Sequence, residues 1–338
     1  MIDFGNGYSC SFRMMRVDPN TWASSEEIKG FLSASYERDS DSDLLESGSA
    51  RFDSRVSEDE FYGRIEMLAR QDGEIERHPV ITLLFSPGPT TDTVGSTTVE
   101  YSGRSVLAPA LDQDMLVGSY APSGSDAAAY AASLISKCTP APVLVEGGFT
   151  ITQHYVFAQG TDHLEAARTL LDGAGWRMRI GDDGTIVVGP KPETPSLVLD
   201  AAHASLLAPE VSGDGSLEEK HNRYIAVDGE RQAVVVNDDR EDPASFSRRN
   251  RYVDIYDDSP QLCNGESLEA YAARKLAEDN ESLGTKSYKR EWCPNVTTSD
   301  LVVGSIANVG LDANMRVKTQ SAEIGRGIVV NETSEVLR

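Results

Sequence analysis

Residues 1–118 alternate between apolar and polar side chains, which is the pattern of β-strands with one buried face. Two strand-like runs, Phe61–Arg70 and Ile75–Phe85, flank the sequence Gln71-Asp72-Gly73-Glu74. An Asp-Gly pair suits the positive φ angles of a tight turn, so we expect a β-hairpin here. The same region is expected to hold further strands at Leu32–Tyr36, Ser49–Phe52 and Thr97–Leu107.

Helical and strand patterns alternate between residues 119 and 200. Ser125 is predicted to cap an alanine-rich helix, Asp126–Lys137, because its hydroxyl can accept an early backbone N–H. Thr161 is predicted to cap a second helix, which ends at the glycines around residue 174. Strands are expected at Phe149–Phe157 and in a hairpin, Trp176–Ile180 and Thr185–Val188. This order predicts a small α+β domain.

The pattern returns to β after a stiff connector that contains three prolines between residues 190 and 195. Ser267 is expected to start one more helix, with Leu268, Tyr271, Ala272, Leu276 and Leu283 on its apolar side. Strands are expected on either side of this helix, at Arg223–Val227, Ala233–Val236, Arg251–Tyr256, Leu301–Ile306, Met315–Thr319 and Ile328–Val330. The fold class predicted from the whole chain is mainly β with an α+β part.

The composition and net charge of the chain argue against several classes of function. The chain has 338 residues, enough for two or three domains, and a net charge of −23 from 31 basic and 54 acidic side chains. Such a surface repels phosphates, so sequence-specific nucleic-acid binding is not expected. The N-terminus lacks the pattern of a signal peptide, and no apolar run approaches the roughly 18 residues of a membrane span, so a cytosolic protein is expected. The four scattered cysteines are expected to be buried free thiols.

No catalytic, cofactor or metal signature is intact. Asp39-Ser40-Asp41-Ser42-Asp43 copies the opening of a calcium-binding EF-hand loop, but Leu44 stands where that loop needs glycine and Ala50 where it needs glutamate. A solvated acidic turn is the simpler interpretation. The prediction is therefore a protein without cofactor or metal that is not an enzyme.

Two alternatives stay open on residue types alone. The 54 acidic residues could include the facing carboxylate pair of a glycoside hydrolase. Trp22, Trp176 and Trp292 could stack on sugars, although packing is the commoner fate of so few aromatic residues. A carbohydrate- or receptor-binding protein would show an exposed aromatic groove, and an enzyme would show a close acid pair in a cleft.

Four segments resemble, in their order and spacing, a family of phage and prophage tail proteins related to the baseplate hub of tailed phages. They are Arg16-Val17-Asp18-Pro19-Asn20-Thr21-Trp22, Leu44-Leu45-Glu46-Ser47-Gly48-Ser49, the Tyr120–Gly124 passage into the alanine-rich helix, and Arg290–Val296 followed by Asp300-Leu301-Val302. Ordinary folding roles, such as a core tryptophan, a tight turn or a strand start, are the alternative for each. The marker residues of the resemblance are Trp22, Leu45, Glu46, Ser47, Gly48, Trp292, Pro294 and Asp300.

The resemblance implies two small β-barrels that flank an α+β domain. The first barrel would span 1–118, the α+β domain 119–200, and the second barrel 201–236 with 286–338, interrupted by a helical insert at 237–285. It further implies a homotrimeric ring in the virion tail, assembled in the bacterial host cytoplasm. Its partners would be tail-tube or distal-tail proteins and a spike or fibre protein, with no membrane. A carbohydrate- or receptor-binding tail protein is the alternative within the same particle.

Overall fold

A computed structural model describes residues 2, 4, 8–93, 96–200, 211–214, 217, 218, 220–307 and 310–338. The fold is mainly β, with short helices confined to the middle of the chain, as the sequence predicted. The predicted second barrel begins at residue 201, and residues 201–210, 215, 216 and 219 of it lie outside the described residues.

Seven strands form in the described residues of the first region, up to Arg104, and the central hairpin confirms the turn predicted at Asp72-Gly73. Asp72 and Gly73 have φ angles of 49° and 87°, and the two arms pair from Phe61 opposite Phe85 to Gln71 opposite Glu74. The strands are β1 Ser9–Val17, β2 Ser24–Ile28, β3 Phe31–Asp39, β4 Glu46–Phe52, β5 Phe61–Gln71, β6 Glu74–Thr93 and β7 Ser96–Arg104.

The middle region packs helices α2 and α3 around an alanine- and leucine-rich core. Both predicted helices exist, but their caps lie one residue later: Asp126 accepts from two backbone N–H groups, and Asp162 accepts from Glu165 N. Aspartate caps both helices in place of the preceding Ser125 and Thr161, because its carboxylate is the stronger hydrogen-bond acceptor at a helix N-terminus. The elements are α1 Ala108–Leu111, β8 Tyr120–Ala121, α2 Ala127–Ser136, β9 Val143–Val145, β10 Tyr155–Val156, α3 His163–Asp172, β11 Arg177–Ile180 and β12 Ile186–Gly189.

The strand predicted over Phe149–Phe157 is wrong for most of its length. Only Tyr155 and Val156 form a strand, while Thr150 and Ile151 make single bridges, to Asp126 and Cys263. The alternation of apolar and polar residues has another cause in this segment: single apolar side chains, such as Phe149 and Phe157, are buried against the helices. Extended backbone therefore crosses this core without joining a larger sheet.

The last region returns to strands and contains the third helix, which Ser267 caps as predicted. The helix ends at Asp279, so Leu283 belongs to the next strand and is exposed there, contrary to the prediction. The elements are β13 Pro195–Leu199, β14 Ser212–Asp214, β15 Arg223–Asp228, β16 Arg231–Val236, α4 Phe246–Arg249, β17 Asp254–Asp257, α5 Leu268–Asp279, β18 Ser282–Glu291, β19 Leu301–Ile306, β20 Leu311–Ile324 and β21 Ile328–Leu337.

One 13-stranded sheet joins the first and last regions. Strands β3 and β20 pair antiparallel from Thr319 opposite Asp39 to Ile324 opposite Ala34, so the two β regions are continuous. Within the described residues the pairing runs as an open path from β14 to β2, and no ring of strands closes. The mainly β class is confirmed, while the separate closed barrels expected from the resemblance are not what this pairing forms.

A second hydrophobic core follows the joined sheet and draws on both regions. Tyr36, Phe52 and Tyr101 pack beside Ala322 and Val330 from the last two strands. Both regions therefore contribute to one core, because the inward side chains of neighbouring strands lie on the same face of the sheet.

A small α/β unit, residues 220–281, lies apart from the large sheet. Its strands pair in the order β16-β15-β17, and α5 packs on one face of them. The resemblance implied that 201–236 belong to the second barrel and that the insert begins at 237. Strand pairing corrects this boundary, because β15 pairs with β16 on one side and with β17 of the insert on the other. Arg274 and Lys275 of α5 donate to the carbonyls of Gly173 and Asp172, at 2.6 and 2.8 Å, which attaches the unit to the end of α3.

Candidate assembly site: the buried junction

The turn of the β11–β12 hairpin inserts against the first β region. Trp22 Nε1 and Arg64 Nη2 each donate to the carbonyl of Asp183 at 2.9 Å, and Thr82 Oγ1 donates to the carbonyl of Asp182 at 3.2 Å. Gly184 has φ +77°, and a Cβ there would lie 2.9 Å from Thr82 Cβ. Only glycine fits this turn without strain, because both its backbone angle and its surroundings exclude a side chain.

Four residues from three regions meet beneath this turn; we call Arg38, Glu46, Asp182 and Asn295 the buried junction. Arg38 Nη1 donates to Asp182 Oδ1 at 2.9 Å, and Arg38 Nε lies 3.4 Å from Glu46 Oε2. Asn295 N donates to the other carboxylate oxygen of Asp182 at 2.9 Å. The side chains of the three charged residues are 1–3% exposed, so the first and middle regions are linked through charges shielded from water. The last region joins them through the backbone N–H of Asn295.

Two carboxylates share one guanidinium in the buried junction, and Glu46 has the weaker geometry. Its Oε1 atom is buried without a hydrogen-bond partner. Burial raises the pKa of Glu46 to about 7, against the lowering effect of Arg38, and burial also raises the pKa of Asp182. We therefore expect Glu46 to change protonation near neutral pH.

A second buried network stabilises the last region. Arg290 donates to Glu332 Oε2 through Nε at 2.9 Å and through Nη2 at 2.7 Å, and Gln320 Nε2 donates to the same oxygen at 2.9 Å. Tyr288 Oη donates to the other carboxylate oxygen at 2.6 Å. Every polar atom of this carboxylate is satisfied, which is what makes a charge tolerable at 0% exposure.

The marker residues of the first region surround the buried junction. Trp22 holds the hairpin turn, Glu46 belongs to the junction itself, and Leu45, with φ 63°, packs into the helical core. Ser47 is exposed on β4, opposite Glu37 and Arg104. Gly48 lies where a Cβ would meet Ser35 O at 2.4 Å, so close strand approach accounts for this glycine.

The markers of the last region lie near the same place. Pro294 precedes Asn295, whose φ of 59° fits a Pro-Asn turn that aims its N–H at Asp182. Asp300 accepts from Thr297 N at 2.7 Å and lies 3.7 Å from Arg179 of the inserted hairpin. Trp292 is 2% exposed and packs with the core of the first region, edge-on to Phe4. The structure thus brings together residues that are hundreds of positions apart.

Sequence reasoning missed Arg38, Asp182, Arg290 and Glu332. The alternation of two strands could have predicted that both arginines are buried. Arg38 lies on the same inward face of its strand as Ala34 and Tyr36, and Arg290 lies on the same inward face as Tyr288. A charged residue in phase with buried positions must find a partner. No local pattern identifies Asp182 as that partner, since 144 residues separate it from Arg38.

Close carboxylates with raised pKa values, the sign expected of a hydrolase, occur at the buried junction. Glu46 and Asp182 are each 4% exposed and both lie against Arg38, so no substrate could reach them. A more open cleft of about 490 Å³ lies between α3 and the small α/β unit. Its carboxylates are engaged: Asp172 with Arg177, Glu278 with Arg274, Asp279 with His221, and Asp257 with two tyrosines.

The tryptophans do not form a sugar-binding groove. Trp22 and Trp292 are 8% and 2% exposed, and Trp176 packs edge-on against Phe149 at 5.1 Å. The four cysteines are free; Cys263 is buried and the other three are half-buried. Across the described ranges, no group of three or more metal-ligating side chains comes together, and no helix is long and apolar enough to cross a membrane.

Comparison with solved structures covers almost the whole chain. A tail protein from Neisseria meningitidis MC58 superposes with a TM-score of 0.69 at 14% identity, over 97% of each chain. The chain has the fold of prophage tail proteins. The 43 kDa tail protein of prophage MuSo2 from Shewanella oneidensis shares this tail-protein fold, with a TM-score of 0.67 at 14% identity, over 96% of this chain and 98% of that one.

A chain of the Francisella PdpA–VgrG complex also superposes, with a TM-score of 0.56 at 8% identity, over 98% of this chain and 58% of that one. No protein-family model and no curated protein matches the sequence. The similarity to tail proteins is therefore one of fold.

Proposed function

We propose that this protein is a structural subunit of a phage or prophage tail and forms the baseplate hub between the tail tube and the tip spike or fibre. The observation that carries the proposal is the end-to-end match to two tail proteins, with TM-scores of 0.69 and 0.67 and no large segment left over on either side. A match of this extent includes the large sheet, the helical region and the small α/β unit together.

The hub subunit acts as a homotrimeric ring, assembled in the bacterial cytoplasm before it joins the virion tail. The described strand pairing ends in three open edges, at β2, β14 and β13, and a ring of copies offers partners for such edges. The buried junction suits a structural subunit, because its hydrogen bonds connect the three regions of the chain. Its marker residues act in folding and positioning, and the subunit has no enzymatic role of its own.

Partners of the ring are a tail-tube or distal-tail protein on one side and a spike or fibre protein on the other. A chain of similar fold occurs in the Francisella PdpA–VgrG complex, which supports a role in an assembly with other proteins. The acidic surface, with a net charge of −23, suits a particle whose cargo DNA must not adhere to its tail.

Deletion of the gene from the phage or prophage, followed by electron microscopy of induced particles, tests the proposal. We expect no complete tails in the deletion strain and restoration by the wild-type gene on a plasmid. Gold-labelled antibody should bind at the distal end of the tube in restored particles. Normal tails without this protein, or label along the tube or at the head, would exclude the hub.

A further inference from the structure

The small α/β unit has a sheet with two apolar faces, of which α5 covers only one. The covered face presents Tyr224 and Ala226 to Leu268 and Tyr271 of the helix. On the other face the strand register aligns Val234, Ile225 and Tyr256 in one row across all three strands.

This second face is open to solvent. Val234 is 51% exposed, Tyr256 64% and Tyr252 47%, while Val236 at the end of β16 is 37% exposed. A sheet with one solvated face normally presents polar side chains there, and contiguous exposed apolar groups usually mark an interaction site. We call Ile225, Val234, Val236, Tyr252 and Tyr256 the outer face.

The outer face has fixed geometry. Tyr252 stacks on Phe246 of α4 at 4.4 Å, and the Arg223 guanidinium lies 4.0 Å from the centre of the Tyr252 ring. Arg223 also makes two bonds to Asp254, at 2.7 and 2.6 Å. An aromatic surface held in this way loses little conformational freedom when it binds.

Charge is balanced in the part of the small unit that carries the outer face. Residues 220–256 contain seven basic and seven acidic side chains, whereas residues 257–281 of the same unit contain two basic and seven acidic ones. Arg231 is 67% exposed at one end of the sheet, Arg248 and Arg251 are exposed near Tyr252, and Asp254 beside Arg223 is 38% exposed. The outer face is thus an apolar surface edged by side chains of both charges on an otherwise acidic protein.

We propose that the outer face is a contact between copies of this chain, with its arginines set against the acidic surface of the neighbouring copy. This inference rests on the proposed function, in which copies assemble into a ring. Two acidic copies repel each other over most of their surfaces, and this electrically balanced apolar face is where they can approach. The contact joins unlike surfaces, as the closure of a ring by rotation requires.

Light scattering of the full chain over a concentration series tests the contact with a matched pair of variants. The double variant V234E/Y256E places two carboxylates on the outer face, where both side chains already face water. The control, L116E/V117E, makes the same changes at residues that are 84% and 82% exposed but lie before β8, far along the chain from the small unit. Circular dichroism and thermal unfolding establish that both variants fold like the wild type.

We expect the mass of the wild type and the control to rise above 36.7 kDa with concentration. V234E/Y256E should remain at that mass, with association weakened on the order of 100-fold, because introduced charges oppose burial of central contact residues. Equal association of the double variant and the wild type overturns the inference, and so does a wild type that stays at 36.7 kDa throughout.

Tail assembly separates failure of this contact from failure of the proposed function. If V234E/Y256E restores complete tails in the deletion strain as well as the control does, the outer face is not the contact while the tail role stands. If the wild-type gene itself is dispensable for tails, the proposed function fails first. Loss of tails with V234E/Y256E alone supports both.

Discussion

The buried junction and the small α/β unit use the same interaction, an arginine with a carboxylate, in opposite environments. Arg38 and Asp182 are 2% and 3% exposed, whereas Arg223 and Asp254 are 27% and 38% exposed. Removing one member of a buried pair leaves a charge without water or partner, while an exposed pair exchanges its partner for solvent at small cost. The junction therefore holds the regions of the subunit together, and the small unit keeps its charged groups available to a neighbour.

The largest expected effect is that of R38A, which leaves the carboxylates of Glu46 and Asp182 buried without their cation. We expect a loss of about 3–5 kcal/mol in the free energy of unfolding at pH 8, measured by urea denaturation. R231A is the control in the small unit, where an exposed pair with Asp228 is worth about 0–1 kcal/mol. Equal losses in the two variants would remove the distinction between the two environments.

Protonation of Glu46 provides the next test. Its pKa of about 7 in the folded protein lies above its ordinary value of 4.5, so the folded protein holds this proton more tightly than the unfolded chain. Stability should therefore fall as pH rises from about 4.5 to 7, by about 3 kcal/mol, at 1.36 kcal/mol per pKa unit.

E46Q removes this titration and leaves Arg38 paired with Asp182. Urea denaturation at pH 5 and pH 8 should show E46Q gaining stability relative to the wild type as pH increases. Arg38 and Asp182 act electrostatically on Glu46, Tyr36 acts on Arg38, and all three are retained in both proteins. A constant difference between E46Q and the wild type across this pH range would contradict the assignment.

Gly184, next to the buried junction, and Gly229, in the small unit, allow the same comparison for backbone strain. Gly184 and Gly229 both have positive φ, at +77° and +62°, but an added Cβ meets Thr82 and Trp22 only at Gly184. We expect G229A to cost about 1 kcal/mol from backbone strain alone and G184A about 2–3 kcal/mol, since crowding adds to it. Thermal unfolding of both variants measures this, and equal shifts would mean that the hairpin turn is not tightly packed.

A small effect is also expected in the small unit, from D257N. Asp257 accepts hydrogen bonds from Tyr224 and Tyr271 at 2.9 and 2.8 Å, linking β15 to α5. Replacing the carboxylate with an amide should weaken these bonds by about 1 kcal/mol, because the charge no longer assists them. Hydrogen exchange should quicken in β17 and α5 but not in the large sheet; D258N, at the exposed neighbouring residue, should change neither.

Elements governed by local physics were predictable from the sequence. The hairpin around Asp72-Gly73, the hairpin that carries Asp182 and the helix capped by Ser267 all occur where turn chemistry and periodicity place them. The eight marker residues were found by resemblance, and the contacts of Trp22 with the hairpin that carries Asp182 and of Glu46 with Arg38 became visible only in the folded chain.

Tertiary structure alone decided how these elements combine. Pairing of β3 with β20 makes one sheet of two regions, and Arg223–Val236 joins the insert because β17 pairs with β15. Arg38 meets Asp182 across 144 residues of sequence. A sequence records which residues must be buried or paired, but partner choice depends on which strand edges and charges the whole fold brings within reach, since loops of any length can close at modest entropic cost.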